Sequence, residues 1–126
     1  MASKGKKHIL VVDDEPTWLQ ILTQFLTSRG YAVVTAGSGT EALRALSGFT
    51  PDLILSDVRM PDMNGFELLE SIKKLPATKS TPVVFLSAID DYDARKIAKE
   101  LGAMDYLVKP FDEGDVSSLL QKHLPQ

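Results

Sequence analysis

The sequence predicts an α/β domain, a parallel sheet of five strands covered by helices on both faces. Three observations predict it. Five short apolar runs alternate with segments of helical spacing along 126 residues. The runs are continuous rather than in–out alternations, as expected of strands buried on both faces. The connections are short, so each strand–helix–strand unit reads as a right-handed crossover between parallel strands.

The first strand, His8–Val12, follows a tail at 1–7 whose basic cluster, Lys4, Lys6 and Lys7, reads as solvated and flexible; the domain proper runs from 8 to 124. Trp18, Ile21, Leu22 and Phe25 then form an i, i+3, i+4, i+7 stripe, and Gly30 stands where that helix should stop. Ala32–Thr35 is the second strand. Ser38 with Glu41, and Asn64 with Glu67, have the spacing of an N-cap with an acid three residues on. Between those starts lies the third strand, Leu53–Ser56, and Val83–Leu86 is the fourth. Ala94, Ile97, Ala98 and Leu101 give another stripe, closed by Gly102. Tyr106–Val108 is the fifth strand, and Val116, Leu119, Leu120 and Leu124 form the last stripe.

Composition bounds the function. With 44% apolar and 25% charged residues the chain has the make-up of a globular domain. A net charge of −3 gives no field to attract nucleic acid or anionic lipid, so direct binding of either is not expected. There is no cysteine, which excludes disulfides, thiol catalysis and Cys-ligated metal, and is compatible with a reducing cytoplasm. No apolar stretch approaches a membrane span or signal-peptide core. His8 and His123 lie at opposite ends of the chain without ligand spacing and read as surface or strand-edge residues.

Four of the five strands run into polar residues. Val11-Val12 meets Asp13-Asp14, Leu55-Ser56 meets Asp57, Phe85-Leu86 meets Ser87, and Leu107-Val108 meets Lys109-Pro110. The sequence does not fix the strand order. The flavodoxin-like order 2-1-3-4-5 makes those four strands contiguous, leaves the unreactive second strand at an edge, and puts a crevice beside strands 1 and 3. Three carboxylates brought together repel unless a cation joins them. Oxygen-only ligands favour Mg²⁺, with Mn²⁺ as the alternative. The competing assignment has Asp13 and Asp14 capping the first helix and Asp57 opening a turn before Met60-Pro61. Capping accounts for one aspartate here, not three. Lys109 offers a point charge for a phosphoryl oxygen, and Pro110 invites a cis peptide that would aim it inward. Ser87 adds a hydroxyl donor, and Ala88 leaves room beside it. The set points to phosphoryl transfer onto Asp57 as nucleophile, with Mg²⁺ and Lys109 neutralising charge and no general base required.

The segments VVDDE, LSDVRMPDMNGFELL, VVFLSA and GAMDYLVKPF resemble, in order and spacing, the receiver domains of two-component response regulators (the CheY-like superfamily). The resemblance covers about 8 to 123 and implies a (βα)5 fold. It implies that Asp57 is the phosphoacceptor, served by a sensor histidine kinase or a histidine phosphotransfer protein. It also implies that Asp14 binds Mg²⁺ directly, Asp13 binds it through water, and the Arg59 carbonyl adds a ligand. Ser87 matches the hydroxyl switch and Tyr106 the aromatic switch, although a half-buried strand aromatic would look the same. Arg59 and Ile89 match positions that tune the phosphoryl lifetime. Glu15 reads as a first-turn helix acid. The surface of the fourth helix, fifth strand and fifth helix, about Asp91 to Leu119, carries Arg95, Lys96, Lys99, Glu100 and Asp105. By the resemblance it docks an output domain or protein, or a second copy after phosphorylation. Such a chain catalyses its own phosphorylation and dephosphorylation but turns over no external substrate.

Other functions fit less well. A pseudo-receiver, a phosphorylation-independent interaction module, typically loses an acidic or acceptor residue, and none is missing here. A haloacid-dehalogenase-type phosphatase needs a DxD after the first strand, and Asp13-Asp14 are adjacent. A flavodoxin needs a Ser/Thr-rich phosphate loop where this chain has DDEPTW. No output domain precedes Gln126, so the sequence reads either as a stand-alone receiver or as one cut from a longer regulator.

Overall fold

The computed structural model describes residues 5–89 and 92–124. Lys4 of the basic tail and Asp91 of the expected docking surface lie outside the described residues. The elements alternate strictly: β1 (His8–Val12), α1 (Pro16–Ser28), β2 (Ala32–Ala36), α2 (Gly39–Leu46), β3 (Leu53–Ser56), α3 (Gly65–Lys74), β4 (Val83–Ser87), α4 (Tyr92–Glu100), β5 (Asp105–Val108) and α5 (Glu113–His123). All pairings are parallel, in the order β2-β1-β3-β4-β5.

The continuous apolar runs serve two cores. Ile9, Val11, Leu53, Leu55, Val84 and Leu86 face α1 and α5, packing on Leu22, Leu26, Val116 and Leu120. Leu10, Val12, Ile54, Val83 and Phe85 face the other way, onto Ala42, Leu68, Leu69, Ile72 and Ala98 of α2, α3 and α4. Each such side chain contributes about 1.5–3 kcal/mol when fully buried. That sum holds together a sheet edge crowded with like charge.

The helix signals are largely realised. Ser38 accepts from Glu41 N, and Asn64 with Glu67 forms a reciprocal capping box. Gly30 and Gly102 take φ of 92° and 99° at helix ends. A second capping box, Asp112 with Asp115, opens α5. It escaped the sequence reading because its acid is Asp rather than the usual Glu or Gln.

Two stripe residues are misplaced. Ile21 is 47% exposed and Ile97 is 41% exposed. Each precedes a buried neighbour, Leu22 or Ala98, and one helical step turns a side chain about 100° away. His8 is exposed, while His123 lies against edge strand β5 with its ring Nε2 2.9 Å from Asp105. Among the described residues no helix is long and apolar enough to cross a membrane.

Candidate functional site

Hydrogen bonds of the sheet edge fix the backbones of three charged residues just past the strand ends. Asp13 N donates to Ala36 O at 3.0 Å, Asp57 N to Val12 O at 2.9 Å, and Lys109 N to Ser87 O at 2.8 Å. The roots of these side chains are therefore as rigid as the sheet. The Lys109–Pro110 peptide is cis. Gly65, at the start of α3, packs on the segment after β3, where an added Cβ would lie 2.3 Å from Asp57 O and 2.8 Å from the Phe85 ring. Only glycine fits that approach without a shift of backbone.

The side chains converge as the sequence predicts. Lys109 Nζ donates to Asp13 Oδ2 at 2.6 Å and to Asp57 Oδ2 at 3.0 Å, all three residues being buried. Asp57 Oδ1 accepts from the N–H of Val58 at 2.6 Å and of Arg59 at 3.3 Å. Asp14 is exposed at the rim. One carboxylate oxygen from each of Asp13, Asp14 and Asp57 lies within 4.8 Å of the other two. The cleft beside them, about 380 Å³, is lined by Asp14, Glu15, Asp57, Arg59, Ser87, Ala88 and Ile89 but not by Asp13.

Neither Asp13 nor Asp14 caps α1. That helix has Glu15 at its N-cap with no side-chain cap, and Asp13 Oδ1 accepts from Glu15 N at 2.9 Å. Glu15 is accordingly not a first-turn acid. It precedes the helix, and its carboxylate, on a side chain 60% exposed, reaches to 3.5 Å from Lys109 Nζ. Adjacency to the acidic pair was the available signal for this contact.

Three carboxylates thus meet the buried Lys109 ammonium, and a fourth, Asp14, lies beside two of them. Two carboxylates about 4 Å apart repel by about 4 kcal/mol at an effective dielectric of 20, so a single ammonium leaves the site short of positive charge. Burial, together with the neighbouring charges, shifts the proton affinities here. Burial pushes the Asp13 carboxyl up by more than Lys109 and the Glu15 N–H hold it down, and Asp57 adds to the rise. For Lys109, burial works against the charge, but the bonds to Asp13 and Asp57 outweigh it and raise the ammonium above its ordinary value. An oxygen-only donor set with excess negative charge fits a divalent cation.

The switch candidates are joined through a backbone that no side-chain pattern reveals. Ser87 Oγ accepts from Ile89 N at 3.1 Å, and Tyr106 Oη donates to Ile89 O at 2.6 Å. Ile89 therefore ties both residues to one peptide segment. The half-buried Tyr106 ring lies 6.2 Å from Phe85, with the Arg95 guanidinium 5.2 Å from its centroid on the α4 side. Sequence reasoning also missed Trp18, whose ring centroid is 5.0 Å from Lys109 Nζ and 4.8 Å from the Phe111 ring.

Comparison with known proteins agrees with this geometry. Residues 9–121 match the family model for the response regulator receiver domain. The chemotaxis protein CheY4 of Vibrio cholerae superposes with a TM-score of 0.91 at 34% identity, covering 94% of this chain and 99% of that one. The probable transcriptional regulator ycf27 of Cyanidium caldarium is 37% identical over 97% of this chain and 48% of its own length. The DNA-binding transcriptional regulator NtrC of Klebsiella pneumoniae is 41% identical over 89% of this chain and 24% of its own. The chain therefore spans about half or a quarter of the length of these two regulators.

Proposed function

The chain belongs to the response regulator receiver domain family, and we propose that its acceptor is Asp57, phosphorylated in a Mg²⁺-dependent reaction. The donor is a phosphohistidine of a sensor histidine kinase or a histidine phosphotransfer protein, met in the cytoplasm. The observation that carries this reading is Lys109 Nζ bridging Asp13 and Asp57 in a buried site bordered by Asp14.

Asp13, Asp14 and Asp57, with the Arg59 carbonyl, would hold the ion. When bound, Mg²⁺ supplies positive charge against the transferring group. Asp57 attacks through a carboxylate oxygen, which needs no general base, and the P–O bond forms as the P–N bond to the donor imidazole breaks. Asp57 Oδ1 is held by two backbone N–H groups, which orient the carboxylate. Lys109 exchanges a carboxylate partner for a phosphoryl oxygen and neutralises it.

Ser87 then turns its hydroxyl proton to the new anion and gives up the Ile89 N–H. That frees the segment on which Tyr106 is anchored, and the face of α4, β5 and α5 shifts its population toward a form recognised by an output partner or a second copy. The working unit is 8–124, with 1–7 as a tail outside it. Acetyl phosphate with Mg²⁺ should add one phosphoryl mass to the wild type and none to Asp57→Ala; label on both, or on neither, would refute the assignment.

Arg59 and Ile89 line the same cleft and tune the lifetime of the phosphoryl group. The apolar Ile89 obstructs an attacking water. Replacing it by Asn should shorten the phosphoryl half-life, and an equal or longer half-life would sink that role.

A further inference from the structure

We propose that Trp18 is a positioning residue for Lys109: its ring face holds the ammonium beside the acceptor without consuming a hydrogen-bond donor. The inference rests on the reading of Asp57 as phosphoacceptor.

Trp18 lies in the first turn of α1, its N–H donating to Glu15 O at 3.1 Å. The short segment from Lys109 to Phe111 grips its ring at both ends. Lys109 Nζ sits 5.0 Å from the ring centroid, and the Phe111 ring lies 4.8 Å away, tilted by 35°. The alternative role, a stripe residue filling the core, does not describe it. Trp18 is half-buried and belongs to neither of the two core clusters.

An ammonium has three N–H donors. Asp13, Asp57 and Glu15 engage them at 2.6, 3.0 and 3.5 Å. A phosphoryl oxygen must displace one of these partners, and Glu15, the most distant and most exposed, is the easiest to displace. During that exchange the ammonium needs an attraction that does not occupy the donor being freed. An indole face provides one, because its quadrupole attracts a cation within about 6 Å of the centroid. A further carboxylate would attract Lys109 but take the donor. An aliphatic side chain would cover the ammonium but not attract it. The Phe111 ring packs against the indole, tilted by 35° to it.

The test compares wild type, Trp18→Leu and Trp18→Phe, each with Lys109 present or replaced by Met, using acetyl phosphate as donor and circular dichroism to verify folding. Trp18→Leu should lower the maximal phosphorylation rate about three- to tenfold, by the size of a partly desolvated cation–π contact, while the Mg²⁺ dissociation constant stays unchanged. Trp18→Phe should recover most of that loss, and in the Lys109→Met background Trp18→Leu should cost nothing further. Emission of Trp18, the sole tryptophan, should change when Mg²⁺ and beryllium fluoride load the wild type. Equal rates for wild type and Trp18→Leu, a Phe variant as slow as Leu, an undiminished loss in the Lys109→Met background, or unmoved emission would overturn the proposal. A wild type that takes no phosphoryl mass overturns the acceptor assignment and this inference together; a labelled wild type with an indifferent Trp18→Leu overturns this inference alone.

Discussion

Asp13 and Asp62 are both aspartates in loops that follow strands of the same sheet, and they are held in opposite ways. Asp62, in the loop between β3 and α3, accepts from Thr40 N at 2.9 Å and Gly39 N at 3.3 Å at the start of α2. Hydrogen bonds from the Thr40 side chain and backbone lower its carboxyl to about 2. Asp13 is buried among other carboxylates, and its carboxyl is pushed up. The first is a structural acid whose charge is met by donors of the fold. The second belongs to a group left short of positive charge, a donor set that could hold a divalent cation.

The contrast breaks most visibly at Lys109. Lys109→Met removes the one buried cation among the described residues while leaving the carboxylates. Phosphorylation by acetyl phosphate should slow about 100-fold or more, the scale seen when a donor to a developing charge is lost. A labelling time course by intact mass would measure it, and a rate within a few-fold of wild type would show that Lys109 is only a structural counter-ion.

A smaller effect distinguishes the two aspartates by metal. A ligand that binds only the folded state stabilises by RT ln(1 + [L]/Kd), about 1.4 kcal/mol at ten times Kd. Mg²⁺ should therefore raise the melting temperature of the wild type by a few degrees. Asp13→Asn should blunt that gain. Asp62→Asn should lower the melting temperature in the absence of metal yet keep the Mg²⁺ increment intact. If the increment survives in Asp13→Asn and vanishes in Asp62→Asn, the assignment of roles is reversed.

Much of this was legible in the sequence because chain order does the gathering. In a parallel sheet every strand ends at the same edge, so Asp13, Asp57, Ser87 and Lys109 meet once the order is 2-1-3-4-5. What stayed hidden depends on contacts that periodicity does not encode. Asp62 reaches a helix start 22 residues earlier in the chain. Ile89 joins Ser87 and Tyr106 through backbone atoms, to which its side chain gives no clue. Trp18 fits a helical stripe, and a stripe names a face without naming the neighbour that face will meet.

The smallest expected effect is the sharpest test of the comparison, because it reads the two carboxyls directly. In metal-free protein, side-chain carboxyl resonances followed by NMR should place Asp62 near 2 and Asp13 above the ordinary carboxylate value of 3.8. The signs for stability are opposite. Asp62 has its folded value depressed, so its contribution is present above pH 3.8 and fades as pH falls toward 2. Asp13 has its folded value raised, so protonation favours the folded state. Its contribution is full below pH 3.8 and is lost as pH rises through the raised value. Mg²⁺ competes with that proton, so adding it should lower the Asp13 midpoint and leave Asp62 where it was. Coincident midpoints for the two residues, or an Asp13 midpoint indifferent to Mg²⁺, would mean that the surplus negative charge is neutralised by something other than a cation in this cleft.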